Sequence, residues 1–101
     1  MDVKGKTVIV TGGAVRVGRE IVLDLALSKA NILCQYHSSE KEAKLVKRKG
    51  EALDAKIEIV EMDLTSEDAP LKIVQKALDA FGSIDILVNN QAMNLTGNSS
   101  S

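Results

Sequence analysis

The sequence predicts an α/β domain in which a parallel sheet lies between helices. Strand-like segments alternate with amphipathic segments of helical period, and the strand-like segments recur about every 25 residues, as right-handed parallel crossovers require. Tyr36 and Phe81 are the only aromatic residues, so the core has to be built from valine, isoleucine, leucine and alanine. A core of this kind is typical of parallel strands that are buried on both faces.

Four segments have the character of buried strands. The first, 7–10, consists of β-branched residues and is followed at once by Thr11-Gly12-Gly13, which indicates a strand that ends in a glycine turn. The others are predicted at 31–36, 57–60 and 84–88, and the last of these is followed by Asn89-Asn90.

Amphipathic segments of helical period separate the predicted strands. The first helix is predicted from 18 to 29. In the second, Ser38 or Ser39 supplies the N-cap, and acidic residues occupy the first turn, where the helix dipole favours them. Gly50 falls on the apolar stripe of this helix. It is therefore expected inside the helix, in close approach to the sheet, despite a cost of up to about 1 kcal/mol.

The third helix follows the third strand. Thr65 with Asp68, or Ser66 alone, is predicted to cap it. Pro70 falls in the first turn, where its missing N–H does little harm, and Gly82 is predicted to end the helix. The predicted buried stripe consists of Ile73, Val74, Ala77, Leu78 and Phe81.

Composition and charge exclude several classes of protein. A chain of 101 residues leaves room for one domain, and its net charge of -1 argues against nucleic-acid binding, which favours a basic excess. No apolar run approaches the roughly 20 residues of a membrane span, and the first residues lack the apolar stretch of a signal peptide. A cytoplasmic protein is therefore expected. Cys34 is the only cysteine, which excludes an intramolecular disulfide and a multi-cysteine metal site, and no metal is expected.

The segment 11–18, between the first strand and the first helix, carries the most chemical information. Glycine there lets the chain turn sharply and lets a phosphate approach the backbone. The N–H groups and the dipole of the following helix then favour an anion. A glycine after a strand is also often only a turn, so the pattern taken alone leaves both interpretations open. Its position between a strand and a helix favours nucleotide binding.

Three motifs together resemble the short-chain dehydrogenase/reductase family. They are Thr11-Gly12-x-x-x-Arg16-x-Gly18 after the first strand, Asp63-Leu64 after the third, and Asp85-Ile86-Leu87-Val88-Asn89-Asn90 at the fourth. Most members of that family have glycine where this chain has Arg16. The arginine, together with Tyr36-His37-Ser38-Ser39, is similar to the pteridine-reductase-like branch. The resemblance covers about residues 5 to 92, and it matches only the N-terminal, cofactor-binding half of the family's fold.

The resemblance implies a three-layer Rossmann-like half-domain over residues 1–93, with a parallel sheet of strand order 3-2-1-4. Residues 94–101 form a polar tail that is expected to be disordered. In this strand order, the first two helices cover one face of the sheet, the third covers part of the other, and strand four is an open edge. A homo-oligomer through the uncovered face or the strand-four edge is expected, because exposed edges and apolar patches favour association.

The resemblance also implies which residues bind a dinucleotide cofactor. Those expected along the pyrophosphate and the adenosine ribose are Gly12, Val15, Arg16, Val17 and Gly18. Asp63 and Leu64 are expected at the adenine edge, Asn90 at the nicotinamide-side ribose, and His37, Ser38 and Ser39 around the 2′ position of the adenosine ribose. An idle, exposed Arg16 and two serines that only cap a helix are also compatible with the pattern.

The expected cofactor is NADP(H). NAD-binding proteins of this kind carry a carboxylate near the end of strand two, about 20 residues after the turn, that accepts from the ribose 2′-hydroxyl. Between Asp24 and Glu40 the chain has no acidic residue. A carboxylate would repel a 2′-phosphate, whereas Arg16, the two serines and His37 can donate hydrogen bonds to it.

No catalytic residue is predicted. In the family that the motifs resemble, a tyrosine acts as general acid, and a lysine four residues later lowers its pKa. Here the only tyrosine is Tyr36, the residue four later is Glu40, and no Tyr-x-x-x-Lys occurs. We therefore expect the chain alone to be inactive on the carbonyl or pterin substrates that the resemblance implies.

Two alternative functions remain open from the sequence. The first is a non-catalytic oligomerisation or scaffold fragment that keeps the fold but binds no nucleotide. The second is an S-adenosylmethionine-dependent methyltransferase domain, which also uses a glycine turn. The lack of an acidic residue at the end of strand two disfavours this second alternative.

Overall fold

The protein forms a four-stranded parallel sheet with helices on both faces. The structure is a computed structural model and describes residues 3–90. The elements are β1 (Thr7–Val10), α1 (Arg16–Leu27), β2 (Asn31–Tyr36), α2 (Glu40–Glu51), β3 (Lys56–Glu61), α3 (Ala69–Phe81) and β4 (Ile86–Val88). The strand order β3-β2-β1-β4 confirms the predicted fold class and topology. The predicted tail 94–101 and the predicted end of the domain at 93 lie outside the described residues.

Strand β1 lies inside the sheet, and all four of its residues are buried. Val8 is in register with Ile32 of β2 on one side and with Ile86 of β4 on the other. Successive side chains of a strand point to opposite faces, so Val8 packs into one hydrophobic cluster and Ile9 into another. This double burial explains why the strand is β-branched throughout rather than alternating between apolar and polar residues.

The two hydrophobic clusters show which helix covers which face. On the face of Val8, the cluster includes Val22 of α1 and Val46 of α2. On the face of Ile9, it includes Ile73 and other residues of α3. The first two helices therefore share one face and the third covers the other, as predicted. None of the helices within residues 3–90 is long and apolar enough to span a membrane.

The predicted buried stripe of α3 is partly wrong. Ile73 and Ala77 are buried against the sheet, but Val74 and Leu78 are each 41% exposed. The strands contact the flank of the helix that carries Ile73 and Ala77, so the adjacent flank remains open to solvent. Leu71 extends this exposed flank by one turn, because it precedes Val74 by three residues.

The helix starts differ from the predicted caps. Ser39 occupies the N-cap position of α2, but only its carbonyl contributes, accepting the N–H of Ala43 at 2.8 Å. Asp68 occupies the N-cap position of α3, so the predicted caps Thr65 and Ser66 are wrong. Thr65 belongs instead to a turn ahead of the helix, in which its N–H and hydroxyl donate to the carboxylate of Asp63.

Two glycines take the positions that the sequence predicted. Gly50 is buried inside α2, and a Cβ atom there would lie 1.8 Å from Cδ1 of Ile57, so the helix approaches β3 as closely as a glycine allows. Gly82 follows α3 in the left-handed conformation, with φ of 81°, and its N–H donates to the carbonyl of Leu78. Gly82 therefore ends α3 as predicted.

Candidate functional site

The carboxyl ends of the four strands meet at one edge of the sheet, where the loops after β1, β2, β3 and β4 lie close together. From β1, the chain crosses to β2 on one side, whereas β4 lies on the other side. The strands stay parallel, but the side on which the next strand joins the sheet changes at β1, because β2 and β3 lie on one side of it and β4 on the other. In open parallel sheets, ligands bind outside the carboxyl ends of the strands at such a switch point.

Hydrogen bonds join the loop after β1 to the residues at the end of β4. The N–H of Thr11 donates to the carbonyl of Val88 at 3.1 Å, and the Thr11 hydroxyl donates to Oδ1 of Asn89 at 3.3 Å. The side chain of Asn90 donates to the carbonyl of Gly12 at 3.1 Å. These three bonds attach the loop to the end of β4.

The two amides that follow Thr11 point toward β2. The N–H of Gly12 donates to Oε1 of Gln35 at 2.7 Å, and the N–H of Gly13 donates to the backbone carbonyl of Gln35 at 3.0 Å. Both donors are therefore already used inside the protein. The amides that can receive an anion lie farther along, at the start of α1.

The amino terminus of α1 presents free donors to the cleft. An α-helix leaves its first N–H groups without an intrahelical partner, here those of Arg16, Val17 and Gly18. Bonding begins with Arg19, whose N–H donates to the carbonyl of Val15 at 3.2 Å. Val15, the N-cap residue, forms no side-chain cap, and no acidic residue lies in the first turn. The dipole of this uncapped end favours a bound anion.

Gly18 allows α1 to begin directly against the loop. A Cβ atom at this position would lie 1.9 Å from the carbonyl oxygen of Gly12 and 2.8 Å from Nδ2 of Asn90. Because the closer atom belongs to the backbone, no rotation of a side chain could relieve the contact. Glycine is therefore required here by packing.

Arg16 adopts a backbone conformation that favours glycine. Its φ is 54°, in the left-handed region, which costs a residue with a side chain roughly 1–2 kcal/mol. This explains why glycine at this position is the commoner choice in the family that the motifs resemble. The arginine keeps the same turn and adds an exposed guanidinium beside the helix terminus.

Two shallow cavities flank the loop, and Gly12 and Val15 line both. The one toward β4 has a volume of about 330 Å³ and is lined by Gly12, Val15, Arg16, Val17 and Asn90. The one toward β2 has a volume of about 230 Å³ and is lined by Gly12, Ala14, Val15, Tyr36, His37, Ser38 and Ser39. The structure thus brings eight of the eleven predicted cofactor-binding residues to the two cavities.

The other three predicted site residues do not line these cavities. Gly18 lies beneath the loop, in contact with Gly12. Leu64 is buried in the core beside Ile9 and Leu33, so its side chain is not available to a ligand. Asp63 is exposed, and its carboxylate accepts the N–H and the hydroxyl of Thr65, at 2.9 and 2.7 Å. A role at an adenine ring stays a prediction for Asp63 and Leu64.

Two titratable residues near the cavities, Asp63 and Tyr36, have shifted pKa values. Hydrogen bonds from Thr65 hold the pKa of Asp63 below its ordinary value, and the electrostatic interaction with His37 lowers this pKa further. Asp63 is therefore ionised and close to His37. At the end of β2, burial and then the carboxylates of Glu40 and Glu61 raise the pKa of Tyr36. A tyrosine that acts as general acid needs the opposite shift.

Sequence reasoning missed one polar residue of the site, Gln35. Its side chain is fully buried and bonds both the glycine loop and the segment after β3. The available signal was a single amide residue within the buried run 32–36 of β2. Within residues 3–90, no group of three histidine, cysteine, aspartate or glutamate side chains is placed to hold a metal ion.

A glycine loop that leads from the first strand into an uncapped helix, at the switch point of a parallel sheet, defines the dinucleotide-binding class of α/β proteins. The sequence model of the family described as short chain dehydrogenase matches residues 6–101, and the chain belongs to this family. Membership in the pteridine-reductase-like branch stays a prediction.

Curated relatives and solved structures agree with this assignment. The chain is 38% identical over 88 residues to a short-chain dehydrogenase/reductase, FrzI, of Cladobotryum sp, covering 87% of this chain and 34% of that protein. It is 37% identical over 90 residues to the L-rhamnose 1-dehydrogenase (NADP(+)) of Thermoplasma acidophilum, covering 89% of this chain and 35% of that protein. The chain therefore spans about a third of the length of these curated relatives.

One of the similar solved structures is described as a complex with NADP. A short chain dehydrogenase from Burkholderia cenocepacia, crystallised in complex with NADP, superposes with a TM-score of 0.85 at 32% identity. The match covers 92% of this chain and 38% of that one. Most of this chain therefore shares its fold with part of a protein that was crystallised with NADP.

Proposed function

We propose that this chain forms the NADP(H)-binding part of a short-chain reductase that transfers hydride to a carbonyl or to a pterin C=N bond. The observation that carries the proposal is the uncapped start of α1, which opens between two cavities lined by Arg16 on one side and by His37, Ser38 and Ser39 on the other. Hydrogen-bond donors, rather than a carboxylate, follow β2 at the rim.

The residues present fit a dinucleotide phosphate. The free amides of Arg16, Val17 and Gly18 would hold the pyrophosphate, because they combine N–H donors with the positive end of the helix dipole. Val15 and Val17 are 37% and 65% exposed and offer apolar surface beside those donors. Asn90, already bonded to Gly12, lines the cavity toward β4 and would meet the ribose on the nicotinamide side.

The preference for the phosphorylated cofactor rests on the end of β2. His37 and Ser38 are exposed there, and Ser39 leaves its hydroxyl free of the helix cap, so all three can donate to a 2′-phosphate. The acidic residue nearest in sequence, Glu40, is paired with Lys44 at 3.3 Å. The relatives described in their names as NADP(+)-dependent or NADP-bound support the same choice.

When bound, the cofactor supplies the hydride, and the residues of this chain bind and orient it. A general acid for the substrate is expected from another part of the protein, because the pKa of Tyr36 is raised, whereas a tyrosine that acts as general acid needs a lowered pKa. We therefore propose that the chain alone has no reductase activity. A cytoplasmic location also stays a prediction from the sequence.

Calorimetric titration with NADPH, NADH and S-adenosylmethionine tests the proposal. We expect NADPH to bind more tightly than NADH, with a Kd no better than roughly 0.1 mM, or about −5.5 kcal/mol, because part of the usual cleft is formed elsewhere. Arg16→Ala should weaken NADPH binding. Arg48→Ala, which removes the same charge from the exposed face of α2, should leave it unchanged.

Other outcomes of this titration favour the alternatives. If no nucleotide binds at roughly millimolar concentration, the chain is a scaffold fragment that has kept the fold. If S-adenosylmethionine alone binds, the proposed binding of NADP(H) is wrong. Equal affinity for NADPH and NADH would contradict the assigned role of Arg16, His37 and the serines.

We propose in addition that the chain associates with itself. Leu71, Val74 and Leu78 form one exposed flank of α3, and Leu87 of the short strand β4 is 48% exposed. Apolar surface and an unpaired strand edge both favour self-association. Sedimentation equilibrium should show a dimer or larger species at roughly tens of micromolar, and a folded monomer under those conditions would contradict this proposal.

A further inference from the structure

Gln35 is a fully buried polar residue in the penultimate position of β2. Most other side chains of the strand are apolar, and Cys34 and Tyr36 on either side of it are also buried. A buried amide is retained in such surroundings only where its donors and acceptor are satisfied. The partners of Gln35 are therefore informative about its role.

The side chain of Gln35 joins two loops at the site. Its Oε1 accepts the N–H of Gly12 at 2.7 Å, and its Nε2 donates to the carbonyl of Met62 at 2.7 Å. Gly12 begins the turn that leads to the helix amides, and Met62 directly precedes Asp63, the residue predicted at the adenine edge. One side chain thus connects the anion-binding side of the site with the segment after β3.

The Gly12 residue is held on both sides. Gln35 accepts its N–H, and the side chain of Asn90 donates to its carbonyl. Gly12 has a φ of 64°, in the left-handed region. A glycine adopts positive and negative φ about equally well, so its own backbone preference does not fix this conformation. The two bonds therefore fix the direction in which the chain leaves β1 and approaches the start of α1.

We propose that Gln35 is a positioning residue of the cofactor site. Its amide fixes the Gly12 turn and ties it to the carbonyl of Met62, so that the free amides of α1 and the segment after β3 keep a constant separation. Gln35 touches no ligand in this arrangement. The proposal rests on the proposed function for its effect on NADPH, but its effect on the Gly12 amide is independent of any nucleotide.

The test compares Gln35→Leu with Ile73→Ala in the full 101-residue chain. Leucine has a similar size but cannot form either bond. Ile73 is buried on α3, in a hydrophobic cluster that contains no residue of the loop 11–18, so its truncation destabilises the fold without removing a contact of that loop. For each variant, the fraction folded is measured by urea unfolding, and NADPH affinity is expressed per folded molecule.

We expect Gln35→Leu to weaken NADPH binding by about tenfold or more, and Ile73→Ala to change it by less than about twofold. Amide hydrogen exchange measured by NMR gives a second readout. In the unaltered chain, the Gly12 amide should exchange more slowly than that of Val17, whose N–H opens toward the cleft. Gln35→Leu should remove this protection, and Ile73→Ala should leave it in place.

Several results would overturn the proposal. These are equal losses of NADPH affinity in the two variants, a Gly12 amide that stays protected in Gln35→Leu, or a Gly12 amide that exchanges as fast as that of Val17 in the unaltered chain. The last of these needs no variant, so it decides the question even where Gln35→Leu fails to fold. If the unaltered chain binds no NADPH, the proposed function fails, while the exchange data still test whether Gln35 holds the loop.

Discussion

Gly50→Ala should destabilise the protein, although alanine is a better helix former than glycine. The substitution adds a Cβ atom on the face of α2 that meets β3. This atom would lie 1.8 Å from Cδ1 and 3.1 Å from Cγ1 of Ile57. Ile57 is only 1% exposed, so its side chain has little free space into which it could rotate.

Two opposing terms determine the size of the effect. Replacing glycine by alanine inside a helix stabilises by about 1 kcal/mol. Overpacking a filled core costs about 1–3 kcal/mol, and the upper half of that range applies because two atoms of Ile57 are too close. The net expectation is a loss of about 1–2 kcal/mol in the free energy of unfolding, or roughly 4–12 °C in Tm for a chain of this size.

A double-mutant cycle with Ile57→Val identifies the cause. Valine lacks Cδ1, so this change alone should cost about 0.5–1.5 kcal/mol and open the space that the added Cβ atom would need. In the Ile57→Val background, Gly50→Ala should therefore be neutral or stabilising, with a coupling of about 2 kcal/mol by urea unfolding. If Gly50→Ala stabilises the unaltered protein by about 1 kcal/mol, the close approach of α2 to β3 plays no energetic role.

Three further predictions concern single residues. Gly18→Ala should cost about 2–3 kcal/mol of stability and abolish measurable NADPH binding in calorimetry, because its Cβ would lie 1.9 Å from the carbonyl oxygen of Gly12; unchanged binding would refute this. Burial raises the pKa of Cys34 to about 12, so an aromatic disulfide reagent at about pH 8 should label this thiol only after denaturation, not in the native protein. The pKa of Asp63 is lowered from 3.8, so the stability that its carboxylate contributes is complete above that value and disappears as the pH falls through the lower folded-state pKa. Urea unfolding of Asp63→Asn should accordingly show a loss at neutral pH that shrinks in acid, and an equal loss at both pH values would contradict the Thr65 hydrogen bonds as its cause.

The fold could be predicted because its determinants are local and repeated. The β-branched segment 7–10 requires burial on both faces, and strands at regular spacing require parallel crossovers. Gly50 and Gly82 were also predictable, since one lies on an apolar stripe and the other follows such a stripe. Each of these inferences uses only the period of the sequence and the identity of a residue.

Details that depend on tertiary contacts were not predictable in this way. Val74 and Leu78 match the helical period as well as Ile73 does, and only the position of the sheet decides which flank is buried. Asp68 takes the cap position, while Thr65 bonds to Asp63 in the turn ahead of the helix. Such competition between partners is invisible when each candidate cap is judged separately.

For the candidate site, too, some features could be predicted from the sequence and others could not. The residues that line the two cavities follow from the glycine motif, since they adjoin the ends of β1, β2 and β4. The motif does not reveal which amides of the loop are free. Gly12 and Gly13 donate to Gln35, which lies more than 20 residues away in sequence, so the number of available donors is set by β2.

Two requirements conflict at Arg16. The turn favours a glycine, whereas binding of an anion favours a positively charged side chain. The turn into α1 needs a left-handed backbone at this position, which costs an arginine roughly 1–2 kcal/mol. A hydrogen bond from a guanidinium to a charged partner contributes about 1.5–3 kcal/mol, but only while that partner is bound. In the free protein the arginine therefore costs stability, and with a phosphate in place the balance becomes neutral or favourable. Lys29 and Asp54 also have a positive φ, in the turns after α1 and α2, so this conformation alone does not mark a binding site. What distinguishes Arg16 is its position in the cavity beside the free amides of α1, where an anion can offset the cost.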